Sequence, residues 1–324
     1  MSGRLTTCPR RSDTVPDVSA DLVLLPWPNY ADVLAGACDG VEVAVYGGDT
    51  QPSSDVLERT AFYVPPYMGA PDTLALMAQM PALRVVQTLT AGVDNVWPLL
   101  PSGVSLHNAA GVHDASTAEL VVGLMLAKLR HLDDFARAQL TGTWMHGRYD
   151  ALADKTVMIL GYGHVGQAIE ARLVGFEVEV VRVARTARPA DDVYAFSDLA
   201  RLLPLVDVVV VIVPQTPETT GLVDAAFLAQ MKPGALLVNA ARGPIVVTDD
   251  LVAALHAGHI QCALDVTDPE PLPADHRLWS APGVLISPHV GGNTTAFLPR
   301  AYRLVAAQLR RWTLGQPLAN TMTR

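Results

Sequence analysis

The sequence predicts an α/β protein with two doubly wound, parallel-sheet domains. Short runs rich in Val, Ile and Leu alternate with helical or polar segments along nearly the whole chain, which is the pattern of βα units. The chain has 324 residues, half of them hydrophobic, and this length favours two domains over one. We therefore expect two parallel sheets, built by two successive series of strands.

The first series of strands lies before residue 90 and the second follows a helical region. The first four runs are residues 21–27, 41–47, 61–66 and 83–89. From residue 116 the pattern changes, and residues 116–140 predict one long helix with a Ser or Thr near its start as a cap. The second series has six strand-like runs, residues 155–163, 178–185, 207–214, 234–241, 262–266 and 283–289. Their near-continuous Val and Ile content predicts burial on both faces, and residues 295–315 predict a final helix.

The charge and hydropathy patterns exclude several classes of protein. The formal net charge is −9, and no run of Lys or Arg suggests a surface for nucleic acid, so small molecules are the expected partners. The longest apolar runs, residues 119–127 and 207–214, are shorter than the ~20 residues that cross a bilayer. We therefore predict neither a nucleic-acid-binding nor a membrane-spanning protein.

The N-terminus and the cysteines predict a cytoplasmic protein. Residues 1–20 contain Arg but no apolar core segment, so they do not resemble a secretory signal, and we expect a frayed tail there. Cys8, Cys38 and Cys262 show neither paired nor metal-ligand spacing, which fits a reducing compartment. We expect incidental cysteines and no metal site.

A glycine motif in the second series indicates a dinucleotide-binding turn. Gly161, Gly163 and Gly166 follow a strand and open a helix, with His164 and Val165 inside the motif. In such a turn the first glycine allows the bend, the second lets backbone approach a pyrophosphate, and the third lets helix and strand pack closely. The phosphates would lie at the helix N-terminus. A glycine turn that serves packing alone, or one of a methyltransferase, is the alternative.

The residue that ends the following strand bears on which dinucleotide binds. An NAD site usually has Asp or Glu there to accept bonds from the ribose hydroxyls, but this chain has Ala184, followed by Arg185, Thr186 and Arg188. Guanidinium groups and a hydroxyl suit a 2′-phosphate, which a carboxylate would repel. The pattern therefore favours NADP(H), with NAD(H) also possible; the alternative is that the arginines are solvated surface charge and the protein takes either cofactor.

Three later segments place Arg242, several carboxylates and His289 after successive strand-like runs, where ligands bind in open α/β sheets. They are residues 239–258, 264–273 and 287–294. With these motifs the chain resembles the D-isomer-specific 2-hydroxyacid dehydrogenase family, which includes glyoxylate and hydroxypyruvate reductases and phosphoglycerate dehydrogenase. The resemblance covers nearly the whole chain, and its other motifs are residues 90–95, 117–119, 161–166 and 213–222.

The resemblance implies a catalytic set of Arg242, Glu270 and His289. In the family the Arg binds the substrate carboxylate and polarises the keto oxygen, and a forked, permanently charged donor suits both tasks. The His donates the proton during reduction and accepts it during oxidation, while the Glu orients its ring. Asp265 resembles the family residue that holds the nicotinamide carboxamide and sets which face presents the hydride.

The resemblance also implies binding residues. Ala91 and Gly92 match positions whose backbone N–H groups hold the substrate carboxylate, with an ordinary strand-ending turn as the alternative. We expect Tyr67 and Met68 to line the pocket for the substrate side chain. The remaining positions expected at the cofactor are Pro214, Thr216, Thr219, Ala240, Ala241 and Gly291.

Other polar residues have weaker claims. Asp268 could compete with Glu270, but its spacing from Asp265 does not match the family pattern. Glu119 is either functional or a carboxylate favoured beside the helix dipole. The remaining histidines are expected at the surface or in packing: His107, His113, His131, His146, His164, His256, His259 and His276.

The resemblance implies an arrangement of two Rossmann-like domains with an active-site cleft between them. Residues 1–105 with 295–324 would form a discontinuous, flavodoxin-like substrate domain, and residues 106–294 the dinucleotide-binding domain. The predicted activity is hydride transfer between NADPH and a small 2-oxo acid such as glyoxylate or hydroxypyruvate, by a homodimer. The alternatives are a cofactor-sensing, corepressor-like interaction protein and a phosphoglycerate dehydrogenase-like enzyme, although no basic cluster near residues 90–95 suits a substrate phosphate.

Overall fold

The structure is a computed structural model that describes residues 21–323. Cys8 and the predicted N-terminal tail lie outside the described residues. Contacts divide the described chain into two compact units. The smaller unit contains residues 21–89, 95–109 and 300–323, and the larger contains residues 90–94 and 110–299. The loop Thr90–Asp94, which the predicted boundaries put in the substrate domain, thus groups by contacts with the larger unit.

Twelve strands and ten α-helices occur among residues 21–323, joined by short 3₁₀ turns. The strands are β1 (Leu22–Leu25), β2 (Glu42–Val45), β3 (Thr60–Tyr63), β4 (Val85–Gln87), β5 (Ser105–His107), β6 (Thr156–Leu160), β7 (Glu179–Ala184), β8 (Val193–Ala195), β9 (Val208–Val211), β10 (Leu236–Asn239), β11 (Gln261–Leu264) and β12 (Val284–Ile286). The helices are α1 (Tyr30–Val33), α2 (Ser54–Arg59), α3 (Pro71–Ala75), α4 (Asp114–Leu129), α5 (Leu132–Leu140), α6 (His164–Leu173), α7 (Leu199–Leu202), α8 (Ala225–Gln230), α9 (Thr248–His256) and α10 (Phe297–Thr313).

The smaller unit contains a five-stranded sheet of order β2-β1-β3-β4-β5, and every strand pair is parallel. This is the strand order of flavodoxin-like domains. Strands β1 and β3 are buried at every position, as expected for a sheet covered on both faces.

The larger unit contains a seven-stranded parallel sheet of order β12-β11-β10-β9-β6-β7-β8. Numbered from β6, this is the doubly wound Rossmann order with one further strand. The chain order reverses between β6 and β9, so that the edge beyond these two strands is the topological switch point where ligands bind in such sheets. The two parallel-sheet α/β domains are confirmed, whereas the active-site cleft stays a prediction.

Alternate side chains of the larger sheet enter two separate hydrophobic clusters. In β9, Val208 and Val210 belong to one cluster while Val209 and Val211 belong to the other, and all four are fully buried. Because side chains alternate between faces along a strand, a run of four Val supplies both cores. Cys262 is part of this packing, and its burial raises the pKa of the thiol to about 12, so this cysteine is an apolar core residue.

The ten predicted strands are all present, and two more, β5 and β8, were missed. Each of these has only three residues, with polar or exposed side chains at some positions, so neither shows an apolar run. The N-terminal strands are β1 to β4 as expected, and the terminal helix is α10.

The prediction of one long helix over residues 116–140 is wrong. The structure has two helices, α4 and α5, because His131 adopts a left-handed conformation with φ of 55° and ends the first helix. Beside this corner Lys128 and Asp133 form a buried ion pair at 3.0 Å. The predicted Ser or Thr cap is also wrong, since α4 begins after His113 without a side-chain cap, and Ser116 instead bonds Thr294 at 2.7 Å.

In the part of the chain that the structure describes, no helix combines the length and apolarity needed to span a bilayer.

Candidate active site

The predicted functional residues of the larger unit follow the carboxyl ends of neighbouring parallel strands. In β6, β7 and β9 to β12, the last residues paired in register are Leu160, Ala184, Val211, Asn239, Leu264 and Ile286. Parallel pairing places all of these ends along one edge of the sheet. The loops that leave this edge carry the glycine turn, the loop after Ala184, residues 213–222, Arg242, Asp265 and His289.

The glycine turn has the geometry that each of its glycines requires. Gly161 has φ of 117°, and a Cβ on it would lie 2.5 Å from the carbonyl oxygen of Ile212. A Cβ on Gly166 would lie 2.5 Å from the carbonyl oxygen of Gly161, so this glycine allows α6 to pack against the turn. Gly163 is the N-cap of α6, and a Cβ there would meet no described atom within 4 Å. The open side of Gly163 and the first N–H groups of α6, including those of His164 and Val165, form a site that suits a pyrophosphate.

The loop after Ala184 carries three polar side chains that differ in their hydrogen bonding. Arg185 and Thr186 are exposed, and neither side chain donates a hydrogen bond to another residue among 21–323. The Arg185 charge contributes to holding the pKa of Glu218 below its usual value, after hydrogen bonds from Thr216 and the Glu218 backbone. By contrast, Arg188 donates from Nη2 to the carbonyl oxygen of Tyr162 at 2.7 Å. Arg188 is thereby held against the glycine turn.

A second network anchors the same turn to the sheet. Glu170 of α6 accepts hydrogen bonds from the Tyr162 hydroxyl and from Arg182 of β7, whose Nε lies 3.0 Å from Oε2. The Arg182 guanidinium holds the pKa of Glu170 below its usual range. Arg182 and Arg188 each place their Cζ 5.7 Å from the centre of the Tyr162 ring. Arg182 is thus neutralised by Glu170, whereas the more exposed cations of this region, Arg185 and Arg188, lie on the loop after Ala184, where Arg188 also faces Asp191 at 4.0 Å.

The loop after β9 is closed by Thr219. Its buried hydroxyl donates to the carbonyl oxygen of Pro214 at 2.7 Å and accepts from the backbone N–H of Thr216 at 2.8 Å. Pro214 is exposed at the edge, and Thr216 is partly exposed. The geometry of Thr219 is that of a residue that shapes the loop, with Pro214 and Thr216 at its surface.

Arg242 follows β10 in a turn organised by Asn239. The amide oxygen of Asn239 accepts from the N–H of Ala241 at 3.1 Å, and its Nδ2 donates to the carbonyl oxygen of Arg242 at 3.0 Å. Ala240 and Ala241 are buried, whereas the side chain of Arg242 is 28% exposed. The buried alanines and the bonded Asn leave the guanidinium as the polar group that this turn presents.

The turn also contacts the loops on either side. A Cβ on Gly243 would lie 1.9 Å from the carbonyl oxygen of Thr267, so the turn packs directly on the loop that leads to Glu270. On another side, Arg242 lies against the loop Thr90–Asp94, with Nε 3.5 Å from Oδ2 of Asp94. The structure thus brings Arg242 and Gly92 together.

Asp265 follows β11 and binds the turn that contains His289. Its Oδ1 accepts from the Ser287 hydroxyl at 2.6 Å and from the Val290 N–H at 2.9 Å, and its Oδ2 accepts from the Gly291 N–H at 2.9 Å. Its carbonyl oxygen accepts from the His289 N–H at 2.7 Å. Asp265 is 3% exposed, so this carboxylate is desolvated and its hydrogen bonds are made within the protein.

His289 and Glu270 form the pair that the sequence implied. Nδ1 of His289 lies 2.5 Å from Oε1 of Glu270, with side chains that are 32% and 38% exposed. His289 has φ of 52°, a left-handed conformation that non-Gly residues adopt uncommonly, and the four bonds from its turn to Asp265 hold it there. A carboxylate on Nδ1 fixes the tautomer so that Nε2 is the nitrogen that exchanges a proton with a ligand.

The weaker candidates are exposed or make other contacts. The Asp268 carbonyl accepts from Thr248 at 2.9 Å and its side chain is exposed, and Glu119 is exposed on α4. Tyr67 and Met68 belong to the loop after β3 in the smaller unit, where Met68 is 62% exposed. A cavity of about 430 Å³ in the smaller unit contains none of the predicted site residues; its lining includes Arg84, Ser105, His107 and Trp312.

Most of the remaining histidines make local contacts in their own units. His107 bonds the carbonyl of Ala319 at 2.9 Å, and burial lowers its pKa. His113 is buried and stacked on Phe297, with ring centroids 5.3 Å apart, and lies beneath Gly292. His131, His259 and His276 accept or donate local hydrogen bonds. Their surroundings match the expectation of packing or surface roles.

Sequence reasoning did not single out Asn239, Gly243 or Asp94. The first two belong to the quoted Asn-x-x-Arg-Gly segment, and their spacing around the Arg was the available signal, since an Asn three residues before a turn residue can bond its carbonyl. Asp94 is separated from Arg242 by 148 positions, so no local pattern could have joined them.

Comparisons with known proteins identify the family to which the chain belongs. A sequence model of the NAD-binding domain of D-isomer specific 2-hydroxyacid dehydrogenases matches residues 122–291. Glyoxylate/hydroxypyruvate reductase B of Salmonella newport is 37% identical to the chain over 241 residues, which are 70% of this chain and 74% of the relative.

Two solved structures share the whole fold. One is an NADPH-dependent glyoxylate/hydroxypyruvate reductase from Sinorhizobium meliloti in complex with NADP and sulfate, with a TM-score of 0.80 and 28% identity over 93% of this chain and 98% of that chain. The other is a D-isomer specific 2-hydroxyacid dehydrogenase from Xanthobacter autotrophicus Py2 in complex with NADPH and MES, with a TM-score of 0.79 and 28% identity over 94% of this chain and 98% of that chain. The chain therefore belongs to the D-isomer specific 2-hydroxyacid dehydrogenase family and is an oxidoreductase that uses a nicotinamide cofactor.

Proposed function

We propose that the protein reduces small 2-oxo acids, of which glyoxylate and hydroxypyruvate are the leading candidates, with NADPH as the preferred reductant. The observation that carries this proposal is the His289–Glu270 pair, with 2.5 Å between Nδ1 and Oε1, on the same sheet edge as Arg242 and the glycine turn. A proton donor, a carboxylate receptor and a dinucleotide site on one edge are the parts that this reaction needs.

The residues of the larger unit fit a dinucleotide. The open side of Gly163 and the N-terminus of α6 would receive the pyrophosphate, and Pro214 and Thr216 would border the adenosine. Ala240 and Ala241 would lie beneath the nicotinamide ribose. When bound, the reduced nicotinamide supplies the hydride that the keto carbon accepts.

Arg242 would bind the substrate and polarise its reacting bond. Its guanidinium lies against Gly92, and we propose that Arg242 and the backbone of Ala91 and Gly92 bind the same substrate carboxylate. As negative charge develops on the keto oxygen, the same fixed cation stabilises it. Tyr67 and Met68, in the smaller unit, are proposed to contact the substrate side chain.

His289 would supply the proton. Protonated His289 donates from Nε2 to the keto oxygen as the keto carbon gains the hydride, so that the C=O bond becomes a C–O–H group and the imidazole becomes neutral. The Glu270 carboxylate remains ionised and stabilises the imidazolium through Nδ1. Oxidation of the hydroxy acid is the reverse, with neutral His289 accepting the hydroxyl proton.

The preference for NADPH is proposed from the loop after Ala184. Ala184 offers no carboxylate to the ribose, and Arg185, Thr186 and the anchored Arg188 offer two cations and a hydroxyl. The solved relatives from Sinorhizobium and Xanthobacter contain NADP and NADPH, which supports this preference. A homodimer is also proposed, supported by the exposed apolar side chains of Leu140, Trp144 and Met145.

Initial rates test the proposal. NADPH and NADH oxidation would be followed at 340 nm, a wavelength at which reduced nicotinamide absorbs, with glyoxylate, hydroxypyruvate, pyruvate and phenylpyruvate as substrates. We expect oxidation of NADPH to exceed that of NADH, with one of the first two acids preferred. Equal rates with both cofactors would overturn the NADPH preference, and tight cofactor binding without turnover of any acid would favour a cofactor-sensing role.

A further inference from the structure

We propose that Asp94 is a positioning residue for Arg242 and sets the strength with which the site holds a carboxylate. The inference rests on the proposed function, because it assigns Arg242 to the substrate. Asp94 and Arg242 belong to the same compact unit, and Nε of Arg242 lies 3.5 Å from Oδ2 of Asp94. Both side chains reach solvent, with 39% of Asp94 and 28% of Arg242 exposed, so a ligand can reach the pair.

The hydrogen bonds of Arg242 leave one edge of its guanidinium available. The group has five N–H bonds in a rigid plane. Nε–H points to Asp94, and one N–H of Nη1 donates to the carbonyl oxygen of Ala241 at 2.8 Å. The second Nη1 hydrogen and the two on Nη2 have no described acceptor among residues 21–323, so these are the donors that a carboxylate can meet.

Gly92 shows where that edge lies. A Cβ on Gly92 would be 1.7 Å from Nη2 and 2.8 Å from Cζ of Arg242, so the guanidinium occupies the space that a side chain at residue 92 would need. The Gly92 carbonyl accepts from the Thr90 hydroxyl at 2.8 Å, which fixes this part of the loop. The loop Thr90–Asp94 thus holds the fork from two positions, by shape at Gly92 and by charge at Asp94.

Asp94 has two effects that oppose each other. As an acceptor for Nε–H it limits rotation of the fork, which favours binding of a planar carboxylate. As an anion, Asp94 partly neutralises the positive charge of Arg242 and repels an incoming carboxylate. A variant that keeps the acceptor but removes the charge should therefore bind substrate more tightly than the natural protein, and a variant that removes both should bind it more weakly.

The test compares Asp94→Asn with Asp94→Ala. The Asn carbonyl oxygen retains an acceptor for Nε–H, so we expect KM for the 2-oxo acid to fall about threefold to tenfold while kcat stays within about twofold. In Asp94→Ala the fork loses the acceptor that orients Nε–H, and kcat/KM should fall by about threefold to fivefold, the upper range for a partly exposed ion pair. The KM for NADPH should not change in either variant.

Matched controls use Asp150, an exposed residue of the same unit whose carboxylate lies 3.3 Å from Lys155. Asp150→Asn and Asp150→Ala change the net charge by the same amount at a comparable surface ion pair, and KM and kcat should stay within about twofold of the natural protein. Oxamate, an unreactive analogue with the same carboxylate, provides a readout that does not need turnover: its Kd for the protein–NADPH complex should fall in Asp94→Asn and rise in Asp94→Ala.

The directions in which carboxylate affinity changes in Asp94→Asn and in Asp94→Ala decide the inference. Tighter binding in both variants would mean that Asp94 acts by charge alone, and weaker binding in both would mean a structural role in the loop; either result overturns the proposal, as does no change in both. If no acid is turned over, the proposed function fails, but oxamate still tests Asp94. If turnover is normal and the Asp94 variants behave like the Asp150 controls, the proposed function stands and this inference fails.

Discussion

The two halves of the functional edge of the larger sheet hold their polar side chains in different ways. After β10, β11 and β12, the polar groups are bonded to one another: Asn239 to the turn of Arg242, Asp265 to the turn of His289, and Glu270 to His289 itself. After β7, Arg185 and Thr186 are exposed and their side chains donate to no other residue among 21–323. The first half is held by hydrogen bonds within the protein, whereas the side chains of Arg185 and Thr186 in the second half are not, although Arg188 of the same loop is anchored to the Tyr162 carbonyl.

This difference assigns distinct kinds of specificity to the two halves. Groups that stabilise a transition state must be in place before charge develops, because reorganisation during the reaction raises the barrier. Groups that select a cofactor act through binding alone and can order on contact with it. Substitutions after β11 and β12 should therefore change turnover, and substitutions after β7 should change which cofactor binds.

The largest expected effect is loss of the proton donor. His289→Ala should lower kcat by about two to four orders of magnitude while the Kd for NADPH stays nearly unchanged, because the imidazole supplies general acid catalysis but is not needed to hold the cofactor. Steady-state kinetics and fluorescence titration with NADPH measure the two quantities. His256→Ala, at the exposed end of α9, is the matched control and should turn over normally. A His289→Ala enzyme as active as the natural one would remove His289 from the chemistry.

The second-largest expected effect concerns cofactor selection by the loop after β7. Arg185→Ala should raise KM for NADPH by about tenfold to a hundredfold, the range for a hydrogen bond between a cation and a phosphate, and leave KM for NADH within about threefold. The kcat at saturating NADPH should not change. Arg201→Ala removes an exposed arginine that pairs with Asp198 at 3.3 Å and should alter neither KM. Equal increases for both cofactors would show that Arg185 does not read the 2′-phosphate.

A smaller effect is expected at Asp265, after β11, where positioning of His289 can be separated from stability of the fold. In Asp265→Asn, one of the N–H groups of Val290 and Gly291 must face an amide NH₂ instead of an acceptor, which should lower the free energy of unfolding by about 1–3 kcal/mol. Because the affected turn carries His289, kcat should also fall, by about tenfold. Urea unfolding and steady-state kinetics provide the two measurements.

The control for Asp265 lies at the opposite edge of the same sheet. Asp207 accepts from the Thr156 N–H at 2.8 Å and from Lys232 at 2.9 Å, so Asp207→Asn also breaks a bonded carboxylate. It should reduce stability without reducing kcat. A proportional loss of kcat in both variants would mean that Asp265 acts on activity only through the stability of the fold.

The sequence was sufficient for the parts of this molecule that are set by local patterns. The Val run of β9 predicts a strand buried on both faces, and the three glycines of the turn predict its conformation, because each needs a backbone or a contact that side chains prevent. The motifs around Arg242, Glu270 and His289 were recognisable since each follows a strand-like run. Their distances from one another were not available from spacing.

What the sequence could not supply depends on contacts between distant residues or on weak local signals. His131 breaks the helix at a position with neither Gly nor Pro, beside a buried Lys128–Asp133 pair that no periodicity reveals. Asp94 reaches Arg242 across 148 positions. The second role of Asp265, which holds the His289 turn, is invisible until the turn folds back onto β11.

The smallest expected effect concerns the Glu170–Arg182 pair, which anchors the glycine turn to the sheet. Arg182 donates to both oxygens of Glu170 and holds the pKa of this carboxyl below its usual range, so the ionised form is favoured by folding. Stability from this pair is fully present above the ordinary Glu pKa of about 4.3 and is lost as pH falls through the lower native value. Glu170→Gln should therefore lower the free energy of unfolding by about 1 kcal/mol at neutral pH, and the difference from the natural protein should shrink below pH ~4.

Urea unfolding of both proteins from pH 7 to pH 3 measures this dependence, with Glu179→Gln, an exposed residue at the start of β7, as the control. Glu179→Gln should show no comparable trend. Because Glu170 and Arg182 neutralise each other, Glu170→Gln also leaves an unpaired cation beside the glycine turn, and KM for NADPH should fall slightly, by less than about threefold. A pH-independent stability difference would show that Glu170 contributes packing rather than charge, and the preference for an anionic cofactor would then depend on the loop after Ala184 alone.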